Sequence, residues 1–447
     1  MNRSFLFKVL GILFLVILMA WALSYVNGLI LERQMRQQNV NADIAKSSAG
    51  YQTLLGPVLV VPYTEEYTEI IGADKNQEVI NRKENGRAYV LPEALKVNGG
   101  FTNEYKKLGI FKALMYQFGG SLSGHFNLAK NIQIKPVHSN GNIIFHEAYV
   151  SIGLSDPRGI SGSPDLTWDK QTFEVTQGSQ ITALGNGIHA NLGKVNLSAE
   201  NIPFSINLNL RGMQQFSFVP IANNNIVALN SSWESPHFDG SFLPETKTIS
   251  KKGFKANWAV SSLASNIQEK LLNMLPASAS VSSLEAISVG FVEPINIYSQ
   301  ADRATKYGLL FIGLTFAGFF VFEILKQLRI HPAQYTLVGL AMALFYLLLV
   351  SLSEHISFAW SYIAASLSCV SLLGYYLSHV LKSKMHGAIF ASMLTALYGA
   401  LYGILASEDN ALMMGSLLVF GLLALTMIVT RKVDWYQIGN TQNSQFT

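Results

Sequence analysis

The chain has long uninterrupted apolar runs at its two ends and short alternating runs between them. An apolar run of about 20 residues crosses about 30 Å of hydrocarbon as a helix. One such run, 9–26, lies near the N-terminus, and two more form a hairpin from Tyr307 to His355. Three further runs follow the hairpin, at 356–377, 387–405 and 412–429. The pattern therefore predicts six membrane-spanning helices.

The first run reads either as a cleaved secretory signal or as a retained anchor, because Arg3 and Lys8 precede it. The triplet 20–22 loosely resembles a cleavage site, but the run continues past it, and Trp21 and Tyr25 suit a membrane interface. We interpret 1–28 as an anchor. Residues 29–49 contain no proline and few β-branched residues, so we expect the helix to extend beyond the membrane.

The middle of the chain, 50–305, has a different pattern of apolar and polar residues. Short β-branched and aromatic runs alternate there with Gly, Asn, Ser and Pro, at 58–61, 143–145, 148–152 and 204–208. Phe204, Ile206 and Leu208 share one face of a strand, the period of a half-buried antiparallel strand. The spacing of Leu263, Ile267, Leu271 and Leu275 predicts a helix over 259–275. The segment is large enough for one sandwich or two smaller ones.

The fold class expected is thus a mixed membrane protein: an N-terminal transmembrane helix, a large β-rich, sandwich-like domain and a C-terminal bundle of five transmembrane helices. The expected boundaries are 1–28, 29–49, 50–305, 306–430 and a tail at 431–447.

Charged residues in the links between the spans predict the orientation of the chain, because Lys and Arg favour cytoplasmic loops. Basic residues lie in alternate links and after the last span, namely Lys326, Arg329, Lys382, Lys384, Arg431 and Lys432. The other links carry Glu354 and the pair Glu408 and Asp409. Both termini are therefore expected in the cytoplasm, with residues about 28–305 in the periplasm. Four aromatic residues near span ends are expected at the headgroups: Tyr362, Tyr398, Trp435 and Tyr436.

Composition agrees with a membrane protein, since only 13% of the residues are charged against about 25% in typical soluble domains. The formal net charge of +4 is spread along the chain, so nucleic acid is not an expected partner, whereas the lipid bilayer is. Cys369 is the only cysteine and excludes a disulfide or a multi-thiolate metal site within one chain. No cofactor is expected, and the oligomeric state is open.

Several stretches resemble the CreD family of bacterial inner-membrane proteins. They include the RATKY approach to the hairpin (303–307), the HPAQY link (331–335), LFYLLLVSLSEHISF (344–358), EDNAL (408–412) and TRKVDW (430–435). The family is similar in its layout of one anchor, a periplasmic domain and a C-terminal bundle. The resemblance implies a role in cell-envelope integrity, with some members tied to a two-component response to cell-wall stress, and it supplies no catalytic residues.

Two residues of the hairpin are candidates for a functional role. Glu323 falls late in its span, where it is either a proton or ligand site or an interfacial carboxylate paired with Lys326. His331 precedes Pro332 and most simply starts a helix.

Four polar residues are expected at the outer ends of neighbouring helices: Glu354, His355, Glu408 and Asp409. Carboxylates and imidazole suit a metal or proton site, but short outward loops need polar residues anyway. The structural interpretation is favoured over docking or ligand binding.

Other motifs are weak. Gly399 and Gly403 have the GxxxG spacing that permits close helix approach, and packing within the bundle is favoured over dimerisation. Residues 185–190 mimic a dinucleotide fingerprint but are expected to form a turn. His146 and Glu147 lack the second histidine of a zinc-protease helix.

The sequence therefore favours a non-enzymatic envelope protein, whose β-rich domain binds or senses a periplasmic component and whose bundle, through the hairpin, anchors or transmits that state. The expected partner is a periplasmic envelope component or another membrane protein. A transporter or channel, motivated by Glu323 and the outer acidic residues, is the main alternative. An enzyme acting on cell wall or lipid is a third.

Overall fold

The computed structural model describes residues 3–71, 78–277, 279, 281–291, 293, 296–326, 330–381, 383–407 and 411–431. The chain forms two compact units. The membrane unit comprises 1–38 and 295–447, and the β unit comprises 39–294. Helix α1 (Arg3–Ser47) is continuous and contributes to both units.

The β unit contains two sheets and two further helices. Its elements, in order, are β1 (Gln52–Ile71), β2 (Glu78–Val90), β3 (Ala94–Leu108), β4 (Phe111–Phe126), α2 (Leu128–Asn131), β5 (Asn142–Phe145), β6 (Ala148–Leu154), β7 (Asp165–Trp168), β8 (Gln171–Glu174), β9 (Thr176–Gln177), β10 (Gly187–Gly193), β11 (Ile202–Met213), β12 (Gln215–Val219), β13 (Asn224–Ser231), β14 (Pro236–Gly240), β15 (Thr246–Ser250), β16 (Gly253–Ser261), α3 (Ile267–Ala277) and β17 (Ile287–Phe291). The runs that predicted strands at 58–61, 143–145, 148–152 and 204–208 lie in β1, β5, β6 and β11.

The first sheet has the strand order β14-β17-β12-β1-β6-β10-β9, with β2 and β5 also paired to β1. The second has the order β15-β16-β13-β3-β4-β11-β7-β8. Most pairs are antiparallel, but β1 runs parallel to β12 and β3 parallel to β13. Residues of both sheets share one core, which includes Leu59 and Phe216 from the first and Phe118 and Ile206 from the second. The β-rich unit is therefore a two-sheet sandwich.

Strand β1 is buried on both of its faces, which explains its continuous apolar run. Leu59 and Val61 point into the core between the sheets, whereas Val58 and Val60 contact the cluster that contains α3. Gly56 precedes this run with a φ of +128°, and a β-carbon there would meet the backbone of Ser151 and Ile152 at 3.1 Å. Only glycine fits this irregular point of the strand.

The helix predicted over 259–275 is wrong in its first part. Residues 253–261 form β16, in which Phe254, Ala256, Trp258 and Val260 are buried at every second position. The 3₁₀ turn Ser262–Ala264 follows, and Leu263 is 97% exposed. Helix α3 begins at Ile267 and buries Ile267, Leu271 and Leu275. Residues 259–263 fit both the alternation of a strand and the spacing of a helix. The predicted helix therefore included Leu263 and started before the true helix.

The membrane unit consists of the membrane part of α1 and five further helices. These are α4 (Ile297–Lys326), α5 (Pro332–Ser353), α6 (Phe358–Val380), α7 (Lys384–Ala406) and α8 (Ala411–Thr430). Within the described residues, α1, α4, α5, α6 and α7 are long and apolar enough to cross a membrane. The expected architecture of one N-terminal helix, a β-rich region and a C-terminal helical bundle is confirmed, and membrane crossing by α8 stays a prediction.

Helix α1 packs into the membrane unit through one stripe. Its buried apolar residues are Leu15, Met19, Leu23, Val26 and Ile30. A β-carbon on Gly339 of α5 would lie 2.9 Å from Met19, and one on Gly308 of α4 would lie 3.1 Å from Leu23. The stripe therefore lies close against α4 and α5.

The expectation that Tyr362 and Tyr398 lie at the headgroups stays a prediction, and the structure shows how the two residues pack. Both are buried in the bundle, where the Tyr362 hydroxyl donates to the Tyr398 carbonyl (2.6 Å). The Tyr398 hydroxyl lies 3.3 Å from Cys369 Sγ. Neighbouring helices therefore supply hydrogen-bond partners for both hydroxyls. Trp435 and Tyr436 lie outside the described residues.

Candidate functional site

Glu323 lies in a polar cluster that joins three helices of the membrane unit. Its carboxylate forms an ion pair with Lys8 of α1. It also accepts hydrogen bonds from the Tyr335 hydroxyl of α5 (2.9 Å) and from the backbone N–H of Ile330 (3.0 Å). Because Glu323 is only 4% exposed, these partners replace the water that a carboxylate otherwise needs. The Lys326 side chain, the partner considered from the sequence, lies outside the described residues.

Glu354 lies in a second cluster that joins the same three helices. The Tyr298 hydroxyl of α4 donates to Glu354 Oε1 (3.2 Å), and Arg33 Nε of α1 lies 3.5 Å from the same oxygen. His355 is exposed, and Glu408 and Asp409 lie outside the described residues. In the described part of the chain, no group of three or more His, Cys, Asp or Glu side chains could hold a metal.

His331 begins α5. Its Nδ1 accepts from the Ala333 N–H (3.2 Å), and the Gln334 side chain accepts from its backbone N–H (3.1 Å). With Pro332 in the first turn, this is a reciprocal helix cap.

Gly399 and Gly403 do not pack closely against another helix of the described chain. A β-carbon on Gly399 would meet nothing within 4 Å, and one on Gly403 would only touch Met414 at 3.6 Å. Gly399 instead lines a cavity of about 380 Å³ between α6 and α7. The prediction of close packing at Gly399 is therefore wrong.

The β unit contains an open cleft of about 720 Å³. Four segments form it: the β1–β2 hairpin, the residue after β5, a 3₁₀ turn before β10 and the end of α3. Its lining residues are Pro62, Tyr63, Asn85, Gly86, Arg87, Tyr89, His146, Thr182, Leu275 and Pro276. The cleft therefore combines aromatic rings, hydrogen-bonding groups and one permanent positive charge.

The polar groups of the cleft are oriented by hydrogen bonds behind them. Thr64 Oγ1 donates to Asn85 Oδ1 (2.8 Å) and lies 2.7 Å from His146 Nε2. Arg87 Nη1 donates to the carbonyl of Gln180 (3.1 Å). These contacts orient three recognition groups, of which Asn85 and Arg87 lie on β2 and His146 follows β5.

The Tyr63 ring packs on Gly86, on the face of the β1–β2 hairpin opposite to Asn85 and Arg87. Tyr63 pairs with Gly86 across the β1–β2 hairpin, and a β-carbon on Gly86 would lie 2.2 Å from the Tyr63 ring. Any side chain at this position would displace the ring.

Two carboxyl groups of the β unit are held ionised by their partners. The backbone N–H of His138 donates to Glu65 (2.8 Å), and this bond lowers the pKa of the Glu65 carboxyl. The side chain of Arg158 bonds Asp156 (2.7 Å) and likewise lowers the pKa of Asp156. These groups stabilise the unit but do not line the cleft.

Comparison with known proteins identifies the relatives of this chain. The family described as "Inner membrane protein CreD" matches residues 4–436. The chain belongs to the CreD family. It is 35% identical to the Inner membrane protein CreD of Escherichia coli K12 over 426 residues, which cover 94% of this chain and 91% of that protein. It is therefore a membrane protein, and the relative's name agrees with the inner membrane and describes no enzyme.

The residues of the cleft in this CreD family member were not predicted as a site. His146 was considered only as part of a zinc motif, and Arg87 carried no motif at all. The mimic at 185–190 was expected to be a turn, but only its start is one: Gly185 has a φ of +65° and β10 begins at Gly187. The position of His146 directly after a strand end is the one sequence signal that could have pointed to a site, and it was not used.

Proposed function

We propose that this protein supports the integrity of the bacterial cell envelope by binding an envelope component in the cleft of its β unit, while the membrane unit anchors the chain. The open cleft carries this proposal, because its polar groups are directed by contacts behind it and face the space where a ligand fits. Binding sites of this kind combine aromatic walls with a few placed polar groups.

The charges in the links support a periplasmic β unit. Alternate links carry lysine and arginine, which favours both termini in the cytoplasm. The stripe on α1 supports a retained anchor, since five buried side chains join this helix to the rest of the membrane unit.

The contacts of the membrane unit favour an anchor over a transporter. Glu323 and Glu354, which motivated the transport hypothesis, each have a basic and a tyrosine partner. A transported ion would have to replace these partners. Flux in proteoliposomes that is lost in Glu323→Gln and Glu354→Gln would favour transport instead.

We also propose that the bound state of the β unit is coupled to the membrane unit through the hairpin of α4 and α5. Glu354→Gln combined with His355→Gln is expected to weaken the complementation of a deletion strain, even when expression is raised until the protein level matches that of the wild type. An unchanged phenotype and stability would leave the hairpin an anchor only.

Orientation is tested with reporter fusions. Fusions after Leu328, Lys384 and Lys432 are expected to report the cytoplasm, and a fusion near Gly185 the periplasm. A cytoplasmic signal near Gly185 would overturn the proposal.

Binding is tested by photocrosslinking in living cells, with the crosslinker at Thr182 of the cleft and, as a control, at exposed Ile226 on β13. We expect envelope material to be captured from Thr182 and not from Ile226. The chain with Gly86→Leu is expected to lose both the capture and the complementation of a deletion strain. Full complementation by this variant, with normal protein level, would reject the cleft as the functional site.

A further inference from the structure

The cleft also indicates what kind of molecule it takes. We infer that its ligand is a saccharide that carries a carboxylate, an assignment that rests on the proposed binding function. The charge, the hydrogen-bonding groups, the aromatic walls and the size of the cleft each support it.

The charge of the cleft favours an anion. Among the described residues that line it, Arg87 carries the only permanent charge and none is acidic. One N–H of the guanidinium is used by the Gln180 carbonyl, which fixes the orientation of the planar group. A guanidinium has five N–H donors, and two parallel ones match the two oxygens of a carboxylate. Arg87 is exposed, so its remaining donors are accessible to a ligand.

Two neutral groups beside Arg87 suit hydroxyl and amide groups of a ligand. The single proton of the Thr64 hydroxyl goes to Asn85 Oδ1, so Thr64 accepts a hydrogen bond from His146 Nε2. In the neutral ring this leaves His146 Nδ1 as an acceptor. The amide nitrogen of Asn85 has no contact within the described chain that would keep it from donating. A ligand with both donors and acceptors near its anionic group fits this pair.

The walls of the cleft favour a sugar ring over a small inorganic anion. Tyr89, on the same face of β2 as Asn85 and Arg87, presents an aromatic surface. Pro62, Leu275 and Pro276 add apolar surface. A pyranose has an apolar C–H face and a polar rim, and can contact such walls while its hydroxyls reach the polar groups.

The size of the cleft agrees with one or two sugar rings. Its volume of about 720 Å³ lies within the range of typical small-molecule sites. A lone anion would fill a small part of it and would leave the aromatic walls in contact with water.

The test uses the full-length protein in nanodiscs and two saccharides that differ in one group. N-Acetylmuramic acid carries a lactyl carboxylate, which N-acetylglucosamine lacks. We expect N-acetylmuramic acid to bind at least about tenfold more tightly by calorimetry or ligand-observed NMR, since a charge-assisted hydrogen bond is removed with the carboxylate.

Variants locate the effect. Arg87→Gln is expected to abolish the difference between the two saccharides, and Arg87→Lys to restore only part of it, because an ammonium cannot bond both oxygens in a fork. The matched control is Arg82→Gln on the same strand, where Arg82 pairs with Glu69 outside the cleft. This control is expected to bind like the wild type.

Several outcomes would overturn the assignment. Equal affinity for the two saccharides, or a preference that persists in Arg87→Gln, would show that Arg87 does not recognise a carboxylate of the ligand. Tighter binding of N-acetylglucosamine 1-phosphate would favour a phosphate, and tighter binding of an acidic tripeptide would favour a peptide. Each of these results, together with crosslinking from Thr182 in cells, would reject the saccharide acid while leaving the proposed binding function intact. Loss of the crosslinking as well would reject both.

Discussion

The two units of this protein use their polar residues in opposite ways. In the membrane unit, Glu323 and Glu354 turn inwards to partners on neighbouring helices. In the β unit, Arg87 and His146 are exposed at the wall of a cleft, and their internal contacts use only part of their hydrogen-bonding capacity. Paired groups stabilise a fold, whereas oriented groups with remaining capacity can bind a ligand.

Mutations in the two units are therefore expected to affect different properties of the protein. Substitutions at the paired carboxylates are expected to lower stability. Substitutions at the cleft are expected to change binding while the fold persists. The following experiments test that separation.

The largest effect is expected for Glu323→Leu. The change leaves Lys8 and the Tyr335 hydroxyl without their partner, and removing one member of a buried pair costs about 4 kcal/mol. Thermal unfolding of the purified protein in detergent measures the loss.

The control is the double variant Lys8→Met with Glu323→Leu, which removes both charges and is expected to recover much of the stability. A stable Glu323→Leu protein with normal unfolding would show that the contacts of Glu323 do not stabilise the membrane unit.

A smaller loss is expected for Leu271→Ala on α3. Leu271 is fully buried beneath β1, and truncating a buried leucine costs about 3 kcal/mol. The neighbouring Leu272 is 38% exposed, so Leu272→Ala is expected to cost well under half as much. Denaturant unfolding compares the two, and equal losses would contradict the packing of α3 described here.

Patterns within one element were predictable from the sequence, and contacts between distant elements were not. The lengths of α4 to α7 follow from apolar runs that match a bilayer, and β11 follows from its strict alternation. Lys8 and Glu323, in contrast, are separated by 315 positions, and no local pattern joins them.

The cleft was hidden from sequence reasoning for the same physical reason. Its walls come from four separate segments, and each contributes ordinary residues such as Tyr63 and Thr182. Their significance arises only where the sheet pairing of β1 brings β2 and β5 together.

Gly86→Ala tests the contact between Gly86 and the Tyr63 ring in the β unit. The new methyl group clashes with the Tyr63 ring, and such overpacking costs about 2 kcal/mol. We expect a moderate loss of stability together with a loss of cleft binding. Gly290→Ala is the control, because its methyl group would meet His237 at an ordinary 3.4 Å. Unchanged binding in Gly86→Ala would show that the packing of Tyr63 on Gly86 does not support the neighbouring Asn85 and Arg87.

The smallest effect on stability is expected from the protonation of Glu65 and Asp156. It is absent at neutral pH. Both have folded-state pKa values below their ordinary values of 4.5 and 3.8, so their stabilisation is complete above those values and is lost as the pH falls below them. Hydrogen exchange of β1 amides between pH 7 and pH 3 measures this. Glu65→Gln is expected to flatten the acid-side loss, and an unchanged profile in that variant would remove Glu65 as its source.

The distance between the two polar clusters of the membrane unit can be compared with the thickness of a bilayer. About 25 residues separate Lys8 from Arg33 on α1, and the same number separates Tyr298 from Glu323 on α4, a rise of about 37 Å. This exceeds the hydrocarbon thickness of about 30 Å and falls short of the full bilayer, so the clusters match the two headgroup layers. Bilayers with much longer or shorter acyl chains would create a hydrophobic mismatch at both ends, relieved by tilting the helices or deforming the lipid.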